Sequence, residues 1–125
     1  MDLNRYSATI VDAGIRVHSA LGPGLLESAY EACLAYELRE RGLRVLTQVD
    51  VPIHYHGVRL DIGYRIDIVV EDVIIIEVKT VAKLLPVHEA QVLSYLKLSG
   101  TKVGLLINFH VPHLRDGVKR MVNRL

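Results

Sequence analysis

Tyr64-Arg65-Ile66-Asp67-Ile68-Val69-Val70-Glu71-Asp72-Val73-Ile74-Ile75-Ile76-Glu77-Val78-Lys79 decides the reading of this chain. Two apolar runs rich in Ile and Val read as buried strands, joined at Glu71-Asp72. Asp67, Glu77 and Lys79 put charge inside them. Burying a carboxylate or an ammonium is costly unless it is paired or metal-bound. Side chains alternate faces along a strand, so Glu77 and Lys79 share a side.

Whether Asp67 joins them depends on one residue of loop. Directly paired residues of antiparallel strands project to the same side. A two-residue loop at Glu71-Asp72 pairs Asp67 with Ile76 and sends Glu77 to the opposite face. A three-residue loop, 71–73, or a bulge pairs Asp67 with Glu77. In that register two carboxylates repel each other unless a cation intervenes. Oxygen ligands suit Mg²⁺ or Mn²⁺. Such an ion acidifies water and stabilises charge on a phosphoryl oxygen. Lys79 is then placed to orient that water or neutralise the developing charge. The residues alone leave open a plainer reading, a buried ion pair between Lys79 and one of the acids.

Outward from this core, helical spacing of Ile10, Gly14, Val17 and Leu21 predicts a helix from about Arg5 to Leu21, with Ser7 or Asn4 as cap. Gly22-Pro23-Gly24 breaks the chain. A second helix is expected from Leu26 to Arg41, its apolar stripe formed by Tyr30, Cys33, Leu34 and Leu38, with Gly42 just past its end. Glu27 sits in its first turn, where a carboxylate favours the helix dipole, and Tyr30 shares its face. Val45 to Val51 reads as a strand, with Pro52 marking an edge or a bulge. His54 to Val58 reads as strand and turn. Pro86 to Ser99 reads as a helix ended by Gly100, and Val103 to Phe109 as a strand buried on both faces. The tail from Leu114 to Leu125 is ambiguous between strand and short helix. Gln91 and Tyr95, one turn apart, share a face of the third helix. They suit a phosphate or sugar contact, or else belong to an ordinary amphipathic helix. The whole is a mixed α/β domain with helices against a central sheet.

The 125 residues, half of them apolar, are expected to form one domain, residues 1–125. The single Cys33 rules out an intramolecular disulfide and is expected in the core. The N-terminus lacks a signal-peptide pattern, and no apolar run approaches the roughly 18 residues that span a bilayer. These features predict a cytoplasmic protein without membrane association. Net charge is only +1, yet residues 1–76 carry seven basic and eleven acidic side chains, and residues 77–125 eight basic and three acidic. The basic half either faces a phosphate backbone or is a solvated surface. His54 and His56 alternate on one strand face, but without a third ligand nearby they read as a solvated hairpin. His88 either borders the site or caps the Pro86 helix.

Taken as ordered motifs, the chain resembles the GxxExxY proteins, small bacterial and archaeal proteins of the PD-(D/E)xK nuclease superfamily. The resemblance runs through Gly24-Leu25-Leu26-Glu27-Ser28-Ala29-Tyr30, Gly63-Tyr64-Arg65-Ile66-Asp67, Ile76-Glu77-Val78-Lys79, Leu84 to Gln91, Tyr95-Leu96-Lys97 and Val103 to Phe109. It implies a restriction-endonuclease-like core, a central mixed β-sheet flanked by helices. By this resemblance Asp67 stands for the first motif acid, Glu77 and Lys79 for (D/E)xK, and Glu27 for the acid of the first core helix. Gln91 and Tyr95 are similar to the Gln-x-x-x-Tyr motif of the exonuclease-like branch, which includes RecB-type and lambda-exonuclease-type enzymes. Ile66 replaces the superfamily's proline before the first acid, a change many members tolerate. The resemblance implies a nuclease acting on nucleic acid, DNA favoured over RNA. Glu27, Asp67 and Glu77 would hold Mg²⁺ or Mn²⁺, Lys79 would assist catalysis, and Gln91 and Tyr95 would position the strand.

Two other readings remain at this level. One is a non-catalytic module that keeps the fold to bind nucleic acid or protein. The other is an oligomeric structural protein with a buried Glu77–Lys79 pair. A chain this small has little room for a separate recognition domain, so self-association or a protein partner is expected.

Overall fold

The strands that carry Asp67 and Glu77 are the middle of a five-stranded sheet. The structure, a computed structural model, describes residues 2–123. Met1 and the last two residues of the tail, 124 and 125, lie outside the described residues. In chain order the elements are α1 (Leu3–Leu21), α2 (Glu27–Glu40), β1 (Val45–Asp50), β2 (Ile53–Tyr55), β3 (Val58–Leu60), β4 (Arg65–Val70), β5 (Ile74–Lys79), α3 (Pro86–Ser99), β6 (Val103–Asn108), a 3₁₀ turn (Leu114–Gly117) and β7 (Val118–Val122). The sheet order is β1-β4-β5-β6-β7, and β2 and β3 form a separate hairpin. β5 and β6 are parallel and every other neighbouring pair is antiparallel. Parallel strands need a long crossover, here supplied by α3.

Strand alternation sorts the core into two layers. Ile74, Ile76 and Val78 of β5 join Ile68, Val70, Leu105 and Ile107 against Ile10, Val17, Leu34 and Leu38 of α1 and α2. Ile75 and Leu106 pack on the other side with Val92, Tyr95 and Leu96 of α3. Gly104 permits this second layer. A Cβ there would stand 2.8 Å from Val92 Cγ1 and 3.2 Å from Ile75 Cγ1. β6 is buried along its whole length, as its unbroken apolar run predicts.

The β4–β5 connection has the longer of the two expected forms. Glu71 and Asp72 take φ of 52° and 58°, and Val73 N donates to Val70 O at 3.0 Å. Val73, read from the sequence as the first strand residue, is instead the extra loop residue. The register is then Val70↔Ile74, Val69↔Ile75 and Ile68↔Ile76. The turn is anchored by an Arg44–Asp72 ion pair of 2.9 Å and by Glu71 N donating to Arg44 O.

Further boundaries differ from the sequence reading. Asp2, rather than Asn4 or Ser7, caps α1, accepting from Asn4 N and Arg5 N. Ser7 is buried inside the helix, its Oγ without a partner among the described residues. The His54–Val58 region is two short strands, exposed from His54 through Leu60. The ambiguous tail is a 3₁₀ turn and then a strand paired with β6. Gly117 is required there, since a Cβ would lie 2.2 Å from the Asn108 carbonyl oxygen.

Candidate active site

Asp67 and Glu77 face each other at the point where β4 and β5 part. The ladder ends at Ile68↔Ile76, and the next residue of each strand carries the acid. Their side chains take over the bonding. Glu77 Oε1 accepts Asp67 N–H at 3.1 Å, and Asp67 Oδ2 accepts Val78 N–H at 2.8 Å. On the other side of β4 the pairing runs Thr47↔Ile68 and then Val49↔Ile66, skipping Gln48 and Asp67. Gln48 has φ of 53°, and its Nε2 donates to Glu31 Oε1 at 2.6 Å and, at 3.5 Å, to Asp67 Oδ1. Asp67 is thus unladdered on both edges. Beyond it β4 changes sides, for Ile68 packs with α1 and α2 whereas Ile66 packs with α3.

Helix α2 brings two more carboxylates to this opening. Glu27 Oε2 accepts Thr80 N–H at 3.1 Å, just past the end of β5. Glu31, one turn later, reaches Asp67 through Gln48. The Gly24…Glu27…Tyr30 spacing has a local cause. Tyr30 is fully buried and stacked on Phe109 with ring centroids 4.5 Å apart. Its hydroxyl donates to Gly22 O and accepts Leu25 N–H, fixing the loop that precedes Glu27.

The carboxylates strain one another. Burial, and then the charge of Asp67, pushes the Glu77 carboxyl up to about 8. Burial also raises the pKa of Glu31, and the charges of Asp67 and Glu27 push it further up while the Gln48 bond pulls it down. Lys79, on the Glu77 face, lowers the Glu77 value. Yet among the described residues it makes no ion pair within 4 Å. The Glu77–Lys79 pair of the structural reading is therefore not formed.

Tyr95 closes the site from α3. Its hydroxyl accepts Gln91 Nε2–H at 3.2 Å. Burial, and then the Glu77 charge, raises its pKa, so it remains a proton-bearing donor. His88 Nδ1 accepts Leu85 N–H at 2.9 Å, capping α3 as one of its two readings expects. Asn108, 2% exposed, lies opposite Lys79 in the parallel register. Its amide bonds both N–H and C=O of Val81, holding the turn after Lys79.

Among the described residues no three His, Cys, Asp or Glu side chains are already arranged to hold a metal ion. The donor chemistry nevertheless fits a hard divalent cation. Asp67 and Glu77 lie side by side with the charged form of Glu77 strongly disfavoured, and Glu31 of α2 feels the charge of both Asp67 and Glu27. Glu27, Asp67 and Glu77 each use one oxygen on a backbone N–H, leaving the other outside those bonds.

Sequence reasoning brought forward Glu27, Asp67, Glu77, Lys79, Gln91 and Tyr95; Asp67 and Glu77 bond across the parting strands, Lys79 and Tyr95 lie near enough to act on or feel the Glu77 charge, Gln91 bonds Tyr95, and Glu27 bonds the turn just past Lys79. That reasoning missed Glu31, Gln48 and Asn108. The signal for Glu31 was the Glu27–Glu31 repeat, a like-charged i,i+4 pair that a helix disfavours without a reason. Gln48 gave none, because its placement rests on a positive φ that the residue type does not announce.

A mixed sheet with helices on both faces and two acids and a lysine where two strands part defines a nuclease-like core. The family pattern of the PD-(D/E)XK nuclease superfamily matches residues 4–121, and the protein belongs to that superfamily. Its members typically use divalent metals and act on nucleic acid. Among solved structures, the crystal structure of SSO0001 is similar in fold, with a TM-score of 0.58 and 22% identity over 93% of this chain and 67% of that one. No curated protein matches the chain. No helix is long and apolar enough to cross a membrane among the described residues.

Proposed function

We propose that this protein is a divalent-metal-dependent nuclease that hydrolyses phosphodiester bonds, in DNA in preference to RNA. The observation that carries the reading is the register that sets Asp67 opposite Glu77, with Lys79 on the same face and in no ion pair among the described residues. Glu27, Asp67 and Glu77 would hold Mg²⁺ or Mn²⁺. Such an ion supplies a Lewis acid that makes a nucleophile of water and offsets phosphoryl charge.

The chain's own residues have separable tasks. The Lys79 ammonium orients the attacking water and neutralises charge that develops in the transition state. Tyr95 keeps its proton and donates toward the strand, with Gln91 fixing its ring. Glu31 holds Gln48 against Asp67 and so sets the carboxylate's rotamer. Gln91 and Tyr95 support placement in the Gln-x-x-x-Tyr branch, and Gly24, Glu27 and Tyr30 support kinship with the GxxExxY proteins. The chain acts as one cytoplasmic nuclease-like domain, completed by self-association or a protein partner.

The test is cleavage of end-labelled DNA with Mg²⁺ or Mn²⁺. Activity should vanish with chelator and in Asp67→Ala, and fall by about 10²–10³-fold in Lys79→Ala. Cleavage that survives both substitutions shows the assigned site to be wrong.

A further inference from the structure

A groove of about 530 Å³ opens beside the acidic cluster, between α3 and the arm that carries the β2–β3 hairpin. Ile53 and Tyr64 line the arm side, and His88, Gln91, Ser94 and Tyr95 the helix side. Gln91 and Tyr95 therefore belong both to the groove and to the site. The volume is that of a small-molecule pocket, about 300–1,000 Å³.

The lining selects its occupant. Among the described residues no lysine or arginine lines the groove, and the neighbouring carboxylates repel a phosphate that enters without a cation. A neutral, flat, hydrogen-bonding group suits it better. Tyr64 is 45% exposed, with its ring centroid 6.2 Å from that of Tyr95 at 57°. Its ring is presented from an ordered backbone, since Tyr64 O accepts Val51 N–H at 2.8 Å. An aromatic face with amide and hydroxyl groups around it is what a nucleobase stacks on and bonds to. A base inside a duplex cannot reach such a groove without leaving its stack.

We propose that this groove seats an unpaired nucleobase, stacked on Tyr64, next to the scissile phosphate. The substrate is then single-stranded nucleic acid or an unpaired end. The inference rests on the nuclease reading and adds strandedness and Tyr64 to it.

The test is fluorescence anisotropy of labelled oligonucleotides with the Lys79→Ala protein in Mn²⁺. The single strand should bind about tenfold more tightly than the blunt duplex. Tyr64→Ala should weaken single-strand binding by about tenfold, and Tyr64→Phe should restore it. A single strand carrying abasic sites should bind wild-type and Tyr64→Ala groove alike. Preferred binding of the duplex, or single-strand affinity indifferent to Tyr64→Ala, overturns the inference and leaves the nuclease reading standing. Binding of neither form defeats both. Loss of self-association in Tyr64→Ala without loss of affinity would assign the groove to a second copy and overturn the proposal.

Discussion

Glu77 accepts the backbone N–H of Asp67 from directly across the parting strands, at 3.1 Å. Each acid replaces a ladder bond that the other strand has given up. The arrangement keeps both carboxylates close and one of them nearly buried, which is unfavourable without a cation.

Stability should therefore depend on pH in a definite direction. Glu77 titrates near 4.5 when unfolded and near 8 in the fold. Between those values the native state holds the extra proton, so stability is full below the lower value and falls as pH rises through the upper one. The metal-free melting temperature should drop across that window. Glu77→Gln, or saturating Mn²⁺, should flatten the profile. Identical profiles for metal-free wild type and Glu77→Gln would sink this account.

Lys79→Ala should lower the cleavage rate by about 10²–10³-fold, as loss of one transition-state charge contact does. No ion pair is lost, so the chemical-denaturation midpoint should hardly move. A large loss of stability would mean that Lys79 is structural after all.

Tyr30→Phe keeps the stack on Phe109 but removes the hydroxyl bonds to Gly22 and Leu25. It should cost about 1–2 kcal/mol and reduce cleavage further than stability alone explains, because Glu27 follows that loop. Urea unfolding and the cleavage rate under folding conditions check the two parts. Full activity would detach the loop from the site.

Gly104→Ala should destabilise by about 1–3 kcal/mol, since the new methyl enters the space of Val92 and Ile75. By pushing α3 off the sheet it should also weaken substrate binding through Gln91 and Tyr95. Denaturation and anisotropy on the same sample measure both.

How far the sequence foretold this site differs from residue to residue. The apolar runs around Asp67 and Glu77 announced two strands, and strand parity placed Lys79 beside Glu77. Their meeting was undecided, because Val73 is apolar and β-branched and looks like strand. It is loop because Glu71 and Asp72 adopt positive φ, anchored by Arg44 from a distant part of the chain. Asp2 as the cap of α1 was masked by Asn4 and Ser7, which are equally good capping types. The Gln48 bridge and the Asn108 clamp are long-range bonds with no periodicity to reveal them.

The most direct measurement is calorimetric titration of Mn²⁺ into wild type and Asp67→Ala. The account predicts saturable binding to wild type that disappears in the variant. Equal binding to both, or none to either, would contradict the claim that Asp67 and Glu77 meet to hold a metal.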